Sequence, residues 1–399
     1  MHFSAQPRPA IAALSGSRIR EVANSAMGLP DVLAFWFGEP DRPTPAFISE
    51  AAKTALDQGR TFYSPNLGLP ALRSALAGYV SKLHPQAGIT PRRIAVTSSG
   101  VSALMLAAQA LLSPGDRVVA VVPLWPNLSA IAHVLGAQVD TVSLQVDNQS
   151  GRWRLDVQAL LDALTADTRM LILNSPGNPT GWVMPKSAMA EVVAHCRQRG
   201  IWILSDEAYE RLIFNGSGCA PSMLDVTDPE DRIVVANTFS KTWQMTGWRL
   251  GWLVLPETLV PAVEKLIEFN SSCAPEFIQM AGITAIEQGD QATLDFVESV
   301  RAGASHLMTL LRGLGSVQAV EPEGAMYVLL RIDGHPDSLT LAKDLVSRAR
   351  LGLAPGIAFG SSSEGYLRWC VARPPAVLAE GVDRLAGYLN PRKVNPRKG

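Results

Sequence analysis

The chain has 399 residues, 47% of them hydrophobic and 18% charged, with a formal net charge of −1. That is enough apolar material for large cores, and the length predicts two domains or one large domain with an appendage. Lysine and arginine are spread along the chain, which argues against a nucleic-acid or polyanion-binding surface.

The first 45 residues are rich in proline and glycine, with a capped helix start at SGSRIREVAN. PAFISEAAKTALDQG predicts an amphipathic helix, and a second follows the opening turn of GLPALRSALAGYVSKL. Strands and helices then alternate. RIAVTS at 93–98 reads as a strand and SGVSALMLAAQALL at 99–112 as a helix. DRVVAVVPLW, AQVDTVSL, RMLILN, IWILSD, RIVVANT and RLGWLVL read as further strands, several nearly continuous in apolar residues. Such runs suit a sheet buried on both faces, with helices such as SAMAEVVAHCRQRG between strands. Beyond about residue 290 a long helix leads into shorter strands, AMYVLLRI and YLRWCVA.

The expected fold is therefore α/β. A large domain, 46–290, holds a mostly parallel sheet between helices. A smaller α+β domain, 291–399, packs with the N-terminal segment, 1–45. The basic C-terminal stretch NPRKVNPRKG reads as a frayed tail.

Cys196, Cys219, Cys273 and Cys370 are far apart and form no CxxC pair, which argues against zinc or thioredoxin-like chemistry and suits a reducing compartment. No apolar run approaches a membrane span, and the N-terminus lacks the pattern of a signal peptide. The expectation is a soluble cytoplasmic protein with no membrane or nucleic-acid partner.

The polar clusters fall where predicted strands end. Ser99-Gly100 opens a helix, Trp125 follows the next strand, and Asn178 lies in the turn after RMLIL. Asp206 and Tyr209 follow IWILS, and Thr238, Ser240 and Lys241 follow IVVAN. In an open α/β sheet, ligands bind beyond those carboxyl ends. Small residues at a helix start admit an anion. A carboxylate such as Asp206 can hold a protonated ring nitrogen. Arg249 lies in WRLGW, where apolar bulk on both sides predicts a buried arginine that wants an anion. Beside it, in a desolvated site, Lys241 would have a lowered pKa and act as nucleophile and base. Each residue taken alone also has an ordinary structural reading, as a helix cap, turn residue, core tyrosine or surface lysine.

Taken together, FGEPDRPTP, YSPNLGLPALR, TSSGVSAL, PLWP, NSPGNPTG, SDEAY, SKTWQMTGWRLGW, PEGAMYV and GYLRWCVA resemble the class I/II aminotransferases of the fold-type I pyridoxal-phosphate enzymes. The resemblance spans roughly residues 15 to 375. It implies that Lys241 is the Schiff-base lysine, that Asp206 partners the pyridine nitrogen, and that Tyr209 and Asn178 bind the ring's phenolic oxygen. Trp125 would stack on the ring. Ser99, Gly100, Val101, Thr238, Ser240 and Arg249 would hold the phosphate. Tyr63 would reach the phosphate of a neighbouring subunit, implying a homodimer with shared sites. Arg368 would take the substrate α-carboxylate, with Gly38 covering it. The implied substrates are an amino acid and a 2-oxo acid.

Dicarboxylate-specific relatives bind the acidic side chain through an arginine of the neighbouring subunit or a lysine after the phosphate-loop glycines. Here no arginine lies between Arg249 and Arg301, and the lysine position is Val101. Trp36, Phe37 and Trp125 are expected to line an apolar pocket, favouring a neutral or apolar donor. Two other readings stay open. One is a carbon–sulfur lyase on the same scaffold. The other is a cofactor-binding sensor, disfavoured because the chain leaves no room for a helix-turn-helix module.

Overall fold

Seven strands build the central sheet of the computed structural model, which describes residues 6–390. They are Ile94–Thr97 (β1), Arg117–Val122 (β2), Gln138–Ser143 (β3), Thr168–Asn174 (β4), Trp202–Asp206 (β5), Ile233–Thr238 (β6) and Gly251–Val254 (β7). Their order across the sheet is β1-β7-β6-β5-β4-β2-β3. All neighbours pair in parallel except β7, which runs antiparallel to both β1 and β6. Every residue of β1, β6 and β7 is buried, so these segments lack polar alternation. The edge strand β3 instead exposes Gln138, Asp140 and Thr141, and a polar edge discourages pairing with another chain.

The predicted helices form close to their expected limits. The helix Gly100–Leu111 is capped by the Ser99 side chain. The helix Lys186–Arg199 ends where Gly200 takes φ +67°, a left-handed cap that suits glycine.

A second sheet holds Val317–Val320 (β8), Tyr327–Ile332 (β9), Ala354–Pro355 (β10) and Tyr366–Cys370 (β11), in the antiparallel order β8-β9-β11-β10. The helix Asp290–Arg312 buries Phe296, Val300, Leu307 and Leu311 on one face, and the helix Pro375–Leu389 packs against it. The N-terminal segment joins this core. Ile19 and Val22 of the helix Arg18–Ser25, with Phe35 and Trp36, belong to the same apolar cluster. Leu33–Ala34 pairs in parallel with Leu351–Gly352. The basic stretch at the C-terminus lies outside the described residues.

Candidate active site

A cavity of about 670 Å³ opens at the carboxyl ends of β4, β5 and β6, where an open α/β sheet binds its ligands. Lys241 enters it from the single helical turn Phe239–Thr242, which Thr238 caps by accepting the Ser240 N–H at 3.2 Å. The Lys241 amine donates to the Gly38 carbonyl, tying the N-terminal segment to the sheet. Its pKa is lowered from 10.5 to about 8, mainly by burial. Arg368 and, more weakly, Arg249 push it down further, against the pull of Cys370 and Glu39. Desolvation rather than Arg249 is thus the main cause.

Asp206 ends β5 and is buried. One carboxylate oxygen accepts the Ala208 N–H at 3.1 Å, and no ion pair to Asp206 exists among the described residues. Burial raises its pKa from 3.8 to about 6, opposed by the Ala208 N–H and by Lys241. The neighbouring strand end fixes the turn that follows. The Asn174 amide donates to the Asp206 carbonyl at 2.9 Å, and its oxygen accepts the Asn178 N–H at 2.7 Å.

Asn178 links the two ends of a buried chain. Its amide nitrogen lies 3.5 Å from the Tyr209 hydroxyl, and its oxygen accepts from Arg368 at 2.8 Å. A second Arg368 nitrogen donates to the Trp36 carbonyl, while its Nε is buried without a partner. The guanidinium carbon sits 4.4 Å from the centroid of Tyr327 and 4.8 Å from that of Phe359, a cation–π arrangement. The Tyr327 hydroxyl lies 2.7 Å from that of Tyr209.

At the other end, the Ser99 hydroxyl is spent on the Ser102 N–H at 2.9 Å, so Gly100 and Val101 form the cavity wall. The Thr238 and Ser240 hydroxyls are 2.9 Å apart. A side-chain carbon at Gly251 would stand 2.5 Å from the Gly100 nitrogen, so glycine alone lets β7 lie against that helix start.

The structure brings Gly38, Gly100, Val101, Trp125, Asn178, Asp206, Tyr209, Thr238, Ser240, Lys241, Arg249 and Arg368 to the lining of one cavity. Two expectations change. Arg249 is exposed rather than buried. It follows a 3-10 turn at φ +57°, and its guanidinium donates to the Thr246 carbonyl at 2.6 Å. Trp36 does not line the cavity. Successive residues of an extended stretch face opposite sides, so Trp36 packs on Gly352 while Phe37 lines the cavity. Tyr63 is 89% exposed and absent from the lining of this single chain's cavity.

The sequence reading missed Tyr327 and Arg20, both of which line the cavity. The stretch PEGAMYV carried a signal for Tyr327, since its parity with Leu329, which pairs with Arg368, puts it on the arginine's face of the sheet. Nothing near Arg20 in sequence marks it.

The donor set fits pyridoxal phosphate. Asp206 is a buried acid with no cation paired to it, Arg368 keeps an unpartnered buried Nε, and the glycines leave the 100–111 helix start open. A phosphate at that start would meet the N–H groups of the helix's first turn.

A family model described as aminotransferase class I and II matches residues 30–385. An aspartate aminotransferase of Pyrococcus horikoshii is 33% identical over 380 residues, covering 94% of this chain and 95% of the relative. An aromatic-amino-acid aminotransferase of Thermococcus litoralis is 32% identical, covering 95% and 97%. Among solved structures, the aspartate aminotransferase of Thermotoga maritima superposes with a TM-score of 0.89 at 30% identity, covering 96% of this chain and 100% of that one.

Proposed function

The chain belongs to the class I and II aminotransferases, and from that premise we propose which residues do its chemistry. It is a pyridoxal-phosphate-dependent transaminase that moves an amino group between an amino acid and a 2-oxo acid. When bound, the cofactor supplies an electrophilic carbonyl and an electron-withdrawing ring. In the proposed assignment Gly100, Val101, Thr238, Ser240 and Arg249 hold its phosphate, with Ser99 fixing the helix start. Trp125 covers the ring, Asp206 takes the ring nitrogen, and Asn178 and Tyr209 take the phenolic oxygen.

Lys241 would hold the cofactor through its amine; once the nitrogen of the incoming amino acid takes its place there, the freed amine would move the proton. With a pKa of about 8, part of its population is neutral near pH 7. Its Nζ then accepts the proton leaving the substrate's α-carbon. Asp206, with a pKa of about 6, remains mostly anionic at that pH. Arg368 takes the α-carboxylate, its guanidinium oriented by Asn178 and the Trp36 carbonyl. The observation that carries this assignment is the convergence of one low-pKa amine, one unpaired buried acid and one incompletely bonded arginine on a single cavity.

The proposal extends to a neutral or apolar donor, supported by Ile19, Phe37, Leu104 and Trp125 in the lining and by Val101 at the lysine position. A clear preference for aspartate in a donor panel would defeat that part. It includes a homodimer in which Tyr63 reaches the other site. Supporting it, Phe62, Tyr63 and Phe269 are 79%, 89% and 87% exposed, large apolar side chains that a second copy could cover. A cytoplasmic location is supported by four unpaired cysteines. The proposed division at 45 and 290 is supported by an apolar cluster that gathers the N-terminal segment with residues beyond 290, joined by Tyr209 and Leu212 of the large domain.

The test is the visible spectrum of the purified protein. A yellow protein that bleaches with an amino acid and recovers with a 2-oxo acid supports the assignment. A yellow protein that never converts favours the lyase chemistry, and failure to colour with added pyridoxal phosphate overturns it.

A further inference from the structure

Among the described residues four cations line the cavity: Arg20, Lys241, Arg249 and Arg368. The proposed chemistry uses three of them, one as the reacting amine, one at the phosphate and one at the α-carboxylate. Arg20 is left over.

It stands on the helix Arg18–Ser25, which Ile19 and Val22 anchor in the core of the smaller sheet. The other charges of that helix are engaged. Arg18 pairs with Glu21 at 2.8 Å, and Glu21 also pairs with Lys343 at 2.5 Å. Arg20 makes no ion pair among the described residues, and its guanidinium carbon lies 5.4 Å from the centroid of Phe37. Among the described residues two carboxylates line the cavity, Asp206 and Glu39. Asp206 is buried and Glu39 is exposed, and neither pairs with Arg20.

We propose that Arg20 receives the side-chain carboxylate of a dicarboxylic substrate. One cavity then serves both partners of the exchange: apolar side chains against Ile19, Phe37 and Leu104, and an acidic one against Arg20. A guanidinium grips a carboxylate through paired N–H donors, and its stack on the half-buried Phe37 ring is weak enough to exchange for that grip. Such an arginine is missing between Arg249 and Arg301, and position 101 is valine rather than lysine. The fold delivers it from the N-terminal segment instead. This inference rests on the transaminase reading.

The test compares wild type with Arg20→Ala and Arg20→Lys as holoenzymes, with 2-oxoglutarate and pyruvate as alternative acceptors. Binding of glutarate, an unreactive dicarboxylate, is measured separately by calorimetry. Arg20→Ala should raise the KM for 2-oxoglutarate and weaken glutarate binding by roughly tenfold. The KM for pyruvate should stay within about twofold, since an exposed arginine is not needed for folding. Arg20→Lys should fall between, and added salt should narrow the gap. Unchanged glutarate affinity in Arg20→Ala, or an equal loss for pyruvate, overturns the proposal. If wild type transaminates neither acceptor, the transaminase reading fails, and the glutarate titration still decides the role of Arg20.

Discussion

The hydroxyl oxygens of Tyr209 and Tyr327 lie 2.7 Å apart, and both side chains are buried. One residue follows β5 of the large sheet and the other begins β9 of the small one, so this contact joins the two sheets at the cavity. Removing the Tyr327 hydroxyl leaves Tyr209 with the longer Asn178 contact at 3.5 Å. Tyr327→Phe should lower the apoprotein's stability by about 1 kcal/mol, read from urea unfolding. A loss under a few tenths would mean that the pair does not bridge the sheets.

Lys241 gives a pH signature. Its folded pKa of about 8 lies below the ordinary 10.5. Between those values the unfolded chain holds a proton that the native chain has shed, so the apoprotein gains stability as pH rises through that window. Below about 8 the penalty is fully present. Lys241→Met should therefore be more stable than wild type at pH 7, by about 1–3 kcal/mol, with the gap closing toward pH 10.5. The rate at which the apoprotein turns yellow should rise through a midpoint near 8, and the variant should stay colourless.

Asp206 behaves oppositely. Its folded pKa of about 6 lies above the ordinary 3.8, so the native apoprotein holds the extra proton between them and loses stability as pH rises across that range. Asp206→Asn keeps an acceptor for the Ala208 N–H and removes the buried charge. The apoprotein variant should gain about 1–3 kcal/mol at pH 7, with no gain below pH 3.8. Transamination should fall at least ~100-fold. A destabilised variant would contradict the burial argument.

Arg368 and Arg20 should separate in steady-state kinetics. Replacing Arg368 by lysine loses the paired donors and frees the Asn178 oxygen. The KM for every donor should rise by roughly 100-fold, whatever its side chain. An effect confined to acidic substrates would move the α-carboxylate site elsewhere.

Much of this site was legible because strand ends announce themselves. Apolar runs locate β4, β5 and β6, and the polar residues that follow them, Asn178, Asp206 and Lys241, meet in one cavity. Residues placed by chain pairing were not legible. Arg20 reaches the cavity because Ile19 and Val22 sink its helix into the smaller core and Leu33–Ala34 pairs with Leu351–Gly352. Those contacts join opposite ends of the chain, and no local pattern encodes them. Arg249 misled for a related reason. Its apolar neighbours describe the wall it crosses, whereas its backbone at φ +57° decides where the guanidinium points. Trp36 misled through parity, since a run of aromatics does not reveal which of them face inward.

The insertion of β7 between β1 and β6 has a practical consequence. The corner proposed to hold the phosphate is made of chain from both flanks of that strand, with Gly251 pressed against the start of the helix that β1 feeds. A nascent or partly unfolded molecule possesses the same amino acids but no corner. Colour development is thus a census of molecules whose sheet has closed, and a substitution far from the cavity that prevents β7 insertion will register as lost pigment and lost turnover together.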